Sequence, residues 1–306
     1  RIVIAAGSQT LYQLIVQLLG RDRVFATECP GYPLLGRIYG AQSVHCANIP
    51  LSAGGIDIAA LRESGASVAH VMPAHQFPTG VVMSAACRRD LLNWSREDEL
   101  PAEDIGKATG REGGATGAKA GKPCGRFIVE DDYDAEFRMV GRPIAPLASV
   151  DTAGRVIYLN SFTKSLGAAF PIAYMALPEN LAELFNRSLG FYSNTVSPLE
   201  QLALARFIEQ GHYERHVNRL RTHAKRQQDE LVRRVRASSL AQSVAFEGLG
   251  RGFHFTMRAR GDVREKLATS LQAAGVQLTP LGTGPLAWSE AKAGEAVLAV
   301  NCEGFN

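Results

Sequence analysis

The chain has 306 residues, 46% of them hydrophobic and 21% charged, which is enough to bury a sizeable core and to form two domains. Its formal charge of +3 is too small for bulk electrostatics to argue for nucleic-acid binding. No apolar run is long enough to cross a bilayer and no charged-then-apolar leader is present, so the sequence reads as soluble and cytoplasmic. The five cysteines are scattered and form no C-x-x-C pair, which fits reduced, structural thiols rather than disulfides or a zinc site. Both ends read as cut: Arg1-Ile2-Val3-Ile4 enters directly as a strand, and the chain stops just after the strand-like Ala296-Val297-Leu298-Ala299-Val300.

In chain order, a strand over Arg1–Ala5 runs into Gly7-Ser8-Gln9-Thr10 and a helix over Leu11–Leu19, with Leu11, Leu14, Ile15 and Leu18 at helical spacing. Ser8 is a candidate N-cap, and Gly7 allows close backbone approach. A strand, a Gly-Ser turn and a helix N-terminus can form an anion site, or simply a capped helix. A strand over Val24–Thr27 ends in Glu28-Cys29-Pro30-Gly31-Tyr32-Pro33, whose prolines hold Tyr32 either to stack on a planar ring or to cover a core edge. Strands follow over Val44–Ile49 and Val68–Met72, with a helix over Asp57–Glu63 between them. The second strand leads to Pro73-Ala74-His75-Gln76-Phe77-Pro78-Thr79-Gly80. This stiff turn presents His75 and Gln76 at a strand end, where an open α/β sheet puts its ligand contacts. A helix over Met83–Trp94 precedes residues 98–124, which are too poor in large apolar side chains to order themselves and read as a mobile surface insertion.

A strand over Phe127–Val129 ends in Glu130-Asp131-Asp132-Tyr133-Asp134-Ala135-Glu136-Phe137-Arg138. At least one of these acids should face a pocket, where it would hold either a protonated ring nitrogen or a metal ion. The strand Val156–Leu159 then gives way to Asn160-Ser161-Phe162-Thr163-Lys164-Ser165-Leu166-Gly167. A lysine just past a strand, flanked by the hydroxyls of Ser161 and Thr163, suits an aldehyde cofactor held as a Schiff base beside its phosphate, or is an ordinary loop lysine. Further on lie a strand over Ala173–Leu177, a helix over Asn180–Leu189, and one long helix from Pro198 to about Arg236. Its apolar face carries Leu202, Ala205, Ile208, Val217, Leu220 and Leu231, and its basic face reads as solvated. The C-terminal part shows strands over Gly252–Met257 and Val276–Leu278 and a helix over Val263–Ala274.

Taken together, these motifs resemble the aminotransferase-like domain of MocR/GabR-type regulators, a branch of the fold-type-I pyridoxal-phosphate proteins. The resemblance implies an α/β fold with a large, mostly parallel-sheet domain over 1–195, a bridging helix over 196–236 and a small α+β domain over 237–306. It implies pyridoxal 5'-phosphate held by Lys164 as an internal aldimine, with Asp131 pairing the ring nitrogen, Tyr133 hydrogen-bonding the ring oxygen and Tyr32 stacking on the ring. Ser8, Gln9, Ser161 and Thr163 would surround the phosphate, Gly7 would also bind the cofactor, and Gln76 or Phe77 stands where related aminotransferases carry an asparagine. It further implies a homodimer, a small amine or amino-acid ligand, and contact with DNA only through a domain preceding Arg1. Two departures stand out: Pro171 occupies the place of the usual phosphate-binding arginine, and no arginine follows Arg264. The expected role is effector sensing, by exchange of Lys164 for an amine. The alternatives are a free-standing aminotransferase and a degenerate scaffold without cofactor.

Overall fold

The computed structural model describes residues 1–97, 124–141, 144–260, 278–280 and 295–301. The expected helix over Val263–Ala274 and nearly all of the expected insertion lie outside the described residues.

The elements in order are β1 (Ile2–Ala6), α1 (Ser8–Leu19), β2 (Val24–Cys29), α2 (Pro33–Ala41), β3 (His45–Ser52), β4 (Gly55–Ile56), α3 (Ile58–Glu63), β5 (Val68–Val71) and α4 (Ala85–Trp94). Then come β6 (Phe127–Asp131), α5 (Leu147–Val150), β7 (Val156–Ser161), α6 (Thr163–Leu166), β8 (Ile172–Ala176) and α7 (Glu179–Ser188). The chain continues through α8 (Pro198–Glu209), α9 (His212–Ala237), β9 (Val244–Glu247), β10 (His254–Arg260), β11 (Leu278–Pro280) and β12 (Glu295–Asn301).

Eight strands form the large sheet in the order β1-β8-β7-β6-β5-β2-β3-β4. Strands β7, β6, β5, β2 and β3 run parallel, β8 is antiparallel to both β7 and β1, and the short β4 folds back on β3. Helices cover both faces, because a parallel sheet built from Val- and Ile-rich strands exposes apolar side chains on each. On one face Leu11, Ile15 and Leu19 of α1, Tyr39 of α2 and Leu181 of α7 pack over Phe25, Phe127 and Ile157. On the other, Leu61 of α3 and Leu91 and Trp94 of α4 pack over Ala26, Ala69 and Ile128. A second, antiparallel sheet follows the order β11-β12-β10-β9, with its own core of Phe255, Met257, Leu298 and Val300. Among the described residues, no helix is long and apolar enough to cross a membrane.

Several elements differ from expectation for identifiable reasons. Helix α1 begins at Ser8 itself, and its cap is Gly7 at φ 82, with no side-chain cap hydrogen bond. The expected long helix is two: Gly211, at φ 69, breaks the chain between α8 and α9. Left-handed backbone is cheap only for glycine, so the helical periodicity on either side hides the break. The expected apolar face of α8 points outward, with Leu202 51% and Ile208 44% exposed, while Leu204 packs against Ile172 and Val196. Helix α2 was not anticipated. Pro33 at its first turn and the buried Leu35–Tyr39 pair one turn apart drive it despite Gly36 and Gly40.

These two glycines and Gly211 give opposite expectations. Gly36 is helical with open space around a would-be Cβ, so Gly36→Ala should raise stability by about 0.5–1 kcal/mol. Gly211→Ala must adopt a left-handed backbone and should lower it by about 1–2 kcal/mol. Denaturant midpoints of the two variants, measured against the parent, check both signs.

Candidate functional site

A cavity of about 590 Å³ opens where the carboxyl ends of β6 and β7 meet the start of α1. Open α/β sheets collect ligands at this edge because strand ends and helix N-termini leave polar groups unpaired there. Gly7, Ser8 and Gln9 line it from α1, Tyr32 from the turn after β2, and Asp131 and Tyr133 from the end of β6; Ser161, Thr163 and Lys164 come from the end of β7 and α6. One expected residue is missing. Gln76 is buried away from the cavity and Phe77 lines it instead. The Gln76 amide donates to Pro30 O (2.9 Å) and accepts from the Thr79 N–H (3.1 Å) and hydroxyl (2.6 Å), so it braces two turns. Pro171 is itself in the wall, and Lys164 is the one cationic side chain among the described lining residues.

The acidic block after β6 resolves residue by residue. Asp131 faces the cavity, and its Oδ2 accepts from the Tyr12 hydroxyl (2.6 Å) and lies 3.2 Å from His70 Nε2. The far ring nitrogen of His70 meets the Tyr39 hydroxyl at 2.6 Å, so a buried chain backs the carboxyl. Glu130 accepts from the Leu147 and Ala148 N–H groups at 2.7 and 2.9 Å, and Asp132 accepts from the Tyr158 hydroxyl at 2.9 Å. Asp134 binds His75 Nδ1 at 2.7 Å. Burial pushes the carboxyls of Glu28, Glu130, Asp132 and Glu136 up, to about 8, 7, 6 and 8, against the partial relief of their hydrogen bonds.

The metal alternative finds one cluster among the described residues, His75, Asp134 and His254, all buried. The two imidazoles stack at 3.9 Å between centroids and 25° between planes. The rings thus lie face to face, and His75 Nδ1 is already engaged with Asp134 at 2.7 Å.

Lys164 sits on α6, and α9 holds that turn in place. His216 Nε2 donates to the Ser165 carbonyl at 2.7 Å, and the Tyr213 hydroxyl meets the Ser165 hydroxyl at 3.1 Å. Tyr12, Tyr39, His70 and His254 were not singled out from the sequence. Two signals were available. His70 is a histidine inside a fully buried strand, and Tyr12 lies one helical turn after Ser8 and so shares its face.

No family model matches the chain. It is 32% identical over 262 residues to the HTH-type transcriptional regulator YdeL of Bacillus subtilis, covering 86% of this chain and 48% of that protein. It is 28% identical over 285 residues to the probable rhizopine catabolism regulatory protein MocR of Rhizobium meliloti, covering 92% of this chain and 52% of that protein. The chain thus spans about half the length of these curated relatives. Among solved structures, the Pyrococcus horikoshii kynurenine aminotransferase in complex with PMP superposes with a TM-score of 0.72 at 21% identity, covering 99% of this chain and 70% of that one. The fold is therefore that of the fold-type-I aminotransferases. Within that class, the sequence matches the aminotransferase-like domain of a MocR-type regulator.

The buried Glu28 makes the site's electrostatics measurable. Its carboxyl pKa is raised from 4.5 to about 8, so its contribution to stability is full below about 4.5 and is lost as pH rises through about 8. Glu28→Gln keeps an acceptor for the Met72 N–H and has no proton to lose. The parent should lose on the order of a few kcal/mol between pH 5 and pH 9 relative to the variant, read as a pH-dependent gap between their melting temperatures.

Proposed function

We propose that this domain binds pyridoxal 5'-phosphate and a small amine or amino acid, as the effector-sensing part of a MocR-type transcriptional regulator. The observation that carries the reading is the meeting of Lys164, Asp131 and Tyr133 in one cavity beside the uncapped N-terminus of α1. The residues present fit that cofactor. The cavity, at about 590 Å³, has the size of a small-molecule pocket. The first N–H groups of α1 lack a side-chain cap and can donate to a phosphate, and the hydroxyls of Ser161 and Thr163 line the same cavity.

Bound there, the group would supply an electron sink for chemistry next to an amino group. Lys164 would hold the group at its aldehyde end, in competition with an incoming amine. The Lys164 amine would also be the base placed to move a proton beside it. Asp131, braced by Tyr12 and His70, would hold a ring N–H; Tyr133 would donate to a ring oxygen; Tyr32 and Phe77 offer faces and edges to the ring. Pro171 removes the guanidinium that would clamp the phosphate, which favours weaker retention of the cofactor. Among the described lining residues there is no guanidinium for a substrate carboxylate either, and positioning of that carboxylate is what fast turnover demands. Ligand exchange with slow turnover suits a sensor, which must change shape on binding.

In this proposal the chain pairs with a second copy. It reaches DNA through a helix-turn-helix region of the kind named in its relatives, in the part of their length it does not match. The complete set of Lys164, Asp131 and Tyr133 also suits a working aminotransferase, and rapid multiple turnover of an ordinary α-amino acid with 2-oxoglutarate would establish that reading over the sensor.

Adding pyridoxal phosphate should produce an absorbance band at the violet edge of the visible range, and Lys164→Ala should abolish it. Borohydride reduction followed by peptide mapping should place the label on Lys164. Label on a different lysine, or on none, sinks the assignment.

A further inference from the structure

A buried polar chain runs from the cavity wall into the second sheet. The Tyr133 hydroxyl lies 3.4 Å from Nδ1 of His254, the first residue of β10. The opposite nitrogen, Nε2, lies 3.2 Å from the Gln76 carbonyl. A carbonyl only accepts, so Nε2 carries the hydrogen. Burial, reinforced by the neighbouring His75, pushes the His254 imidazole down to about 3 and keeps it neutral, which leaves Nδ1 bare. Tyr133 is held as the phenol, its pKa pushed far up by burial and then by Asp134 and Asp131. The hydrogen bond therefore runs from Tyr133 to His254. Asp134 Oδ2, 4.0 Å from the bare Nδ1, makes that nitrogen a better acceptor, and the stacked His75 ring holds His254 in its plane.

We propose that His254 competes with a cavity ligand for the Tyr133 proton, so that filling the cavity is felt at β10 of the C-terminal sheet. The proposal rests on the reading of the cavity as a pyridoxal-phosphate site. A hydroxyl has one proton to donate. When Tyr133 turns it to an oxygen in the cavity, the bond to His254 is lost and β10 gives up one of its ties to the large sheet. Strand β10 pairs with both β9 and β12, so it is placed to pass that loss to the whole second sheet. His254 is thus a positioning residue, acting on the ligand through Tyr133.

Glutamine and asparagine separate its two nitrogens. His254→Gln keeps a donor toward Gln76 and removes the acceptor facing Tyr133, and His254→Asn retains an acceptor near the Nδ1 position. Titrating each protein with pyridoxal phosphate by absorbance should show His254→Gln binding roughly fourfold tighter than the parent, as expected on freeing one modest hydrogen bond. His254→Asn should bind like the parent, and the gain should vanish in the Tyr133→Phe background. Misfolding would loosen binding, so the direction of the effect tells competition from damage. In the parent, hydrogen exchange over 254–260 should speed up on loading, and in Tyr133→Phe it should not. Unchanged or weaker binding by His254→Gln, or the same gain without the Tyr133 hydroxyl, overturns the proposal. Ultraviolet resonance Raman of the unloaded proteins, with Tyr133→Phe subtracted, provides a readout without the cofactor. Tyr133 should show a donor signature in the parent and in His254→Asn, and lose it in His254→Gln. If the parent takes up no pyridoxal phosphate, the cavity reading falls by itself, and a Raman donor signature that persists in His254→Gln still overturns the partnership with His254.

Discussion

A carboxyl buried at the end of a central strand must find donors, and meeting that need at Asp131 organises the large domain. Asp131 is only 3% exposed, and an unpartnered carboxyl there would cost several kcal/mol. The donors come from two elements: Tyr12 on α1 and His70 on β5, the latter backed by Tyr39 of α2. For Tyr12 to reach the carboxyl, α1 must lie across β6. Ser8 sits one turn earlier on the same face, so the same placement delivers the helix N-terminus to the cavity. Asp131 and the anion-accepting end of α1 are in this sense one arrangement.

The rest of the acidic block shows how the same residue type serves different ends. Glu130 accepts two backbone N–H groups at the start of α5, Asp132 takes the Tyr158 hydroxyl, and Asp134 orders two histidines between the sheets. Burial raises Glu28, Glu130, Asp132 and Glu136 together, because a low-dielectric interior disfavours the charged form of each, and repulsion from neighbouring acids adds to it. The cavity beside them is lined by the Asp131 carboxyl, the phenols of Tyr12, Tyr32 and Tyr133, and Lys164 as its lone cation among the described lining residues. Helix α9 joins this chemistry to the C-terminal sheet. Tyr213 and His216 grip the Lys164 turn near one end, and Gln228 further along donates to the Gly252 carbonyl just ahead of β10.

Much of the large sheet was legible because its strands are short Val- and Ile-rich runs that end in Gly, Pro or polar residues. The strand ends were less so: β6 continues through Glu130 to Asp131 and β7 through Asn160 to Ser161, since ladder hydrogen bonds do not depend on the side chain. Nine of the expected site residues line one cavity because each follows a strand or opens a helix. Spacing alone cannot tell which of the adjacent Gln76 and Phe77 turns inward, and in the fold it is Phe77 that lines the cavity. Helix α8 was misjudged by its apolar spacing, which marks its exposed side as strongly as the side that packs on Ile172.

The sequence by itself determined the alternation of strands and helices, the turns that carry Lys164 and Tyr32, and the absence of an arginine at position 171, because these depend on residues near one another in the chain. Only the tertiary structure decided which acid faces the cavity, which neighbours brace it, and that His254 reaches Tyr133 from 121 residues away. Such pairings depend on how the sheet twists and which helix crosses it, and local propensity carries no record of either.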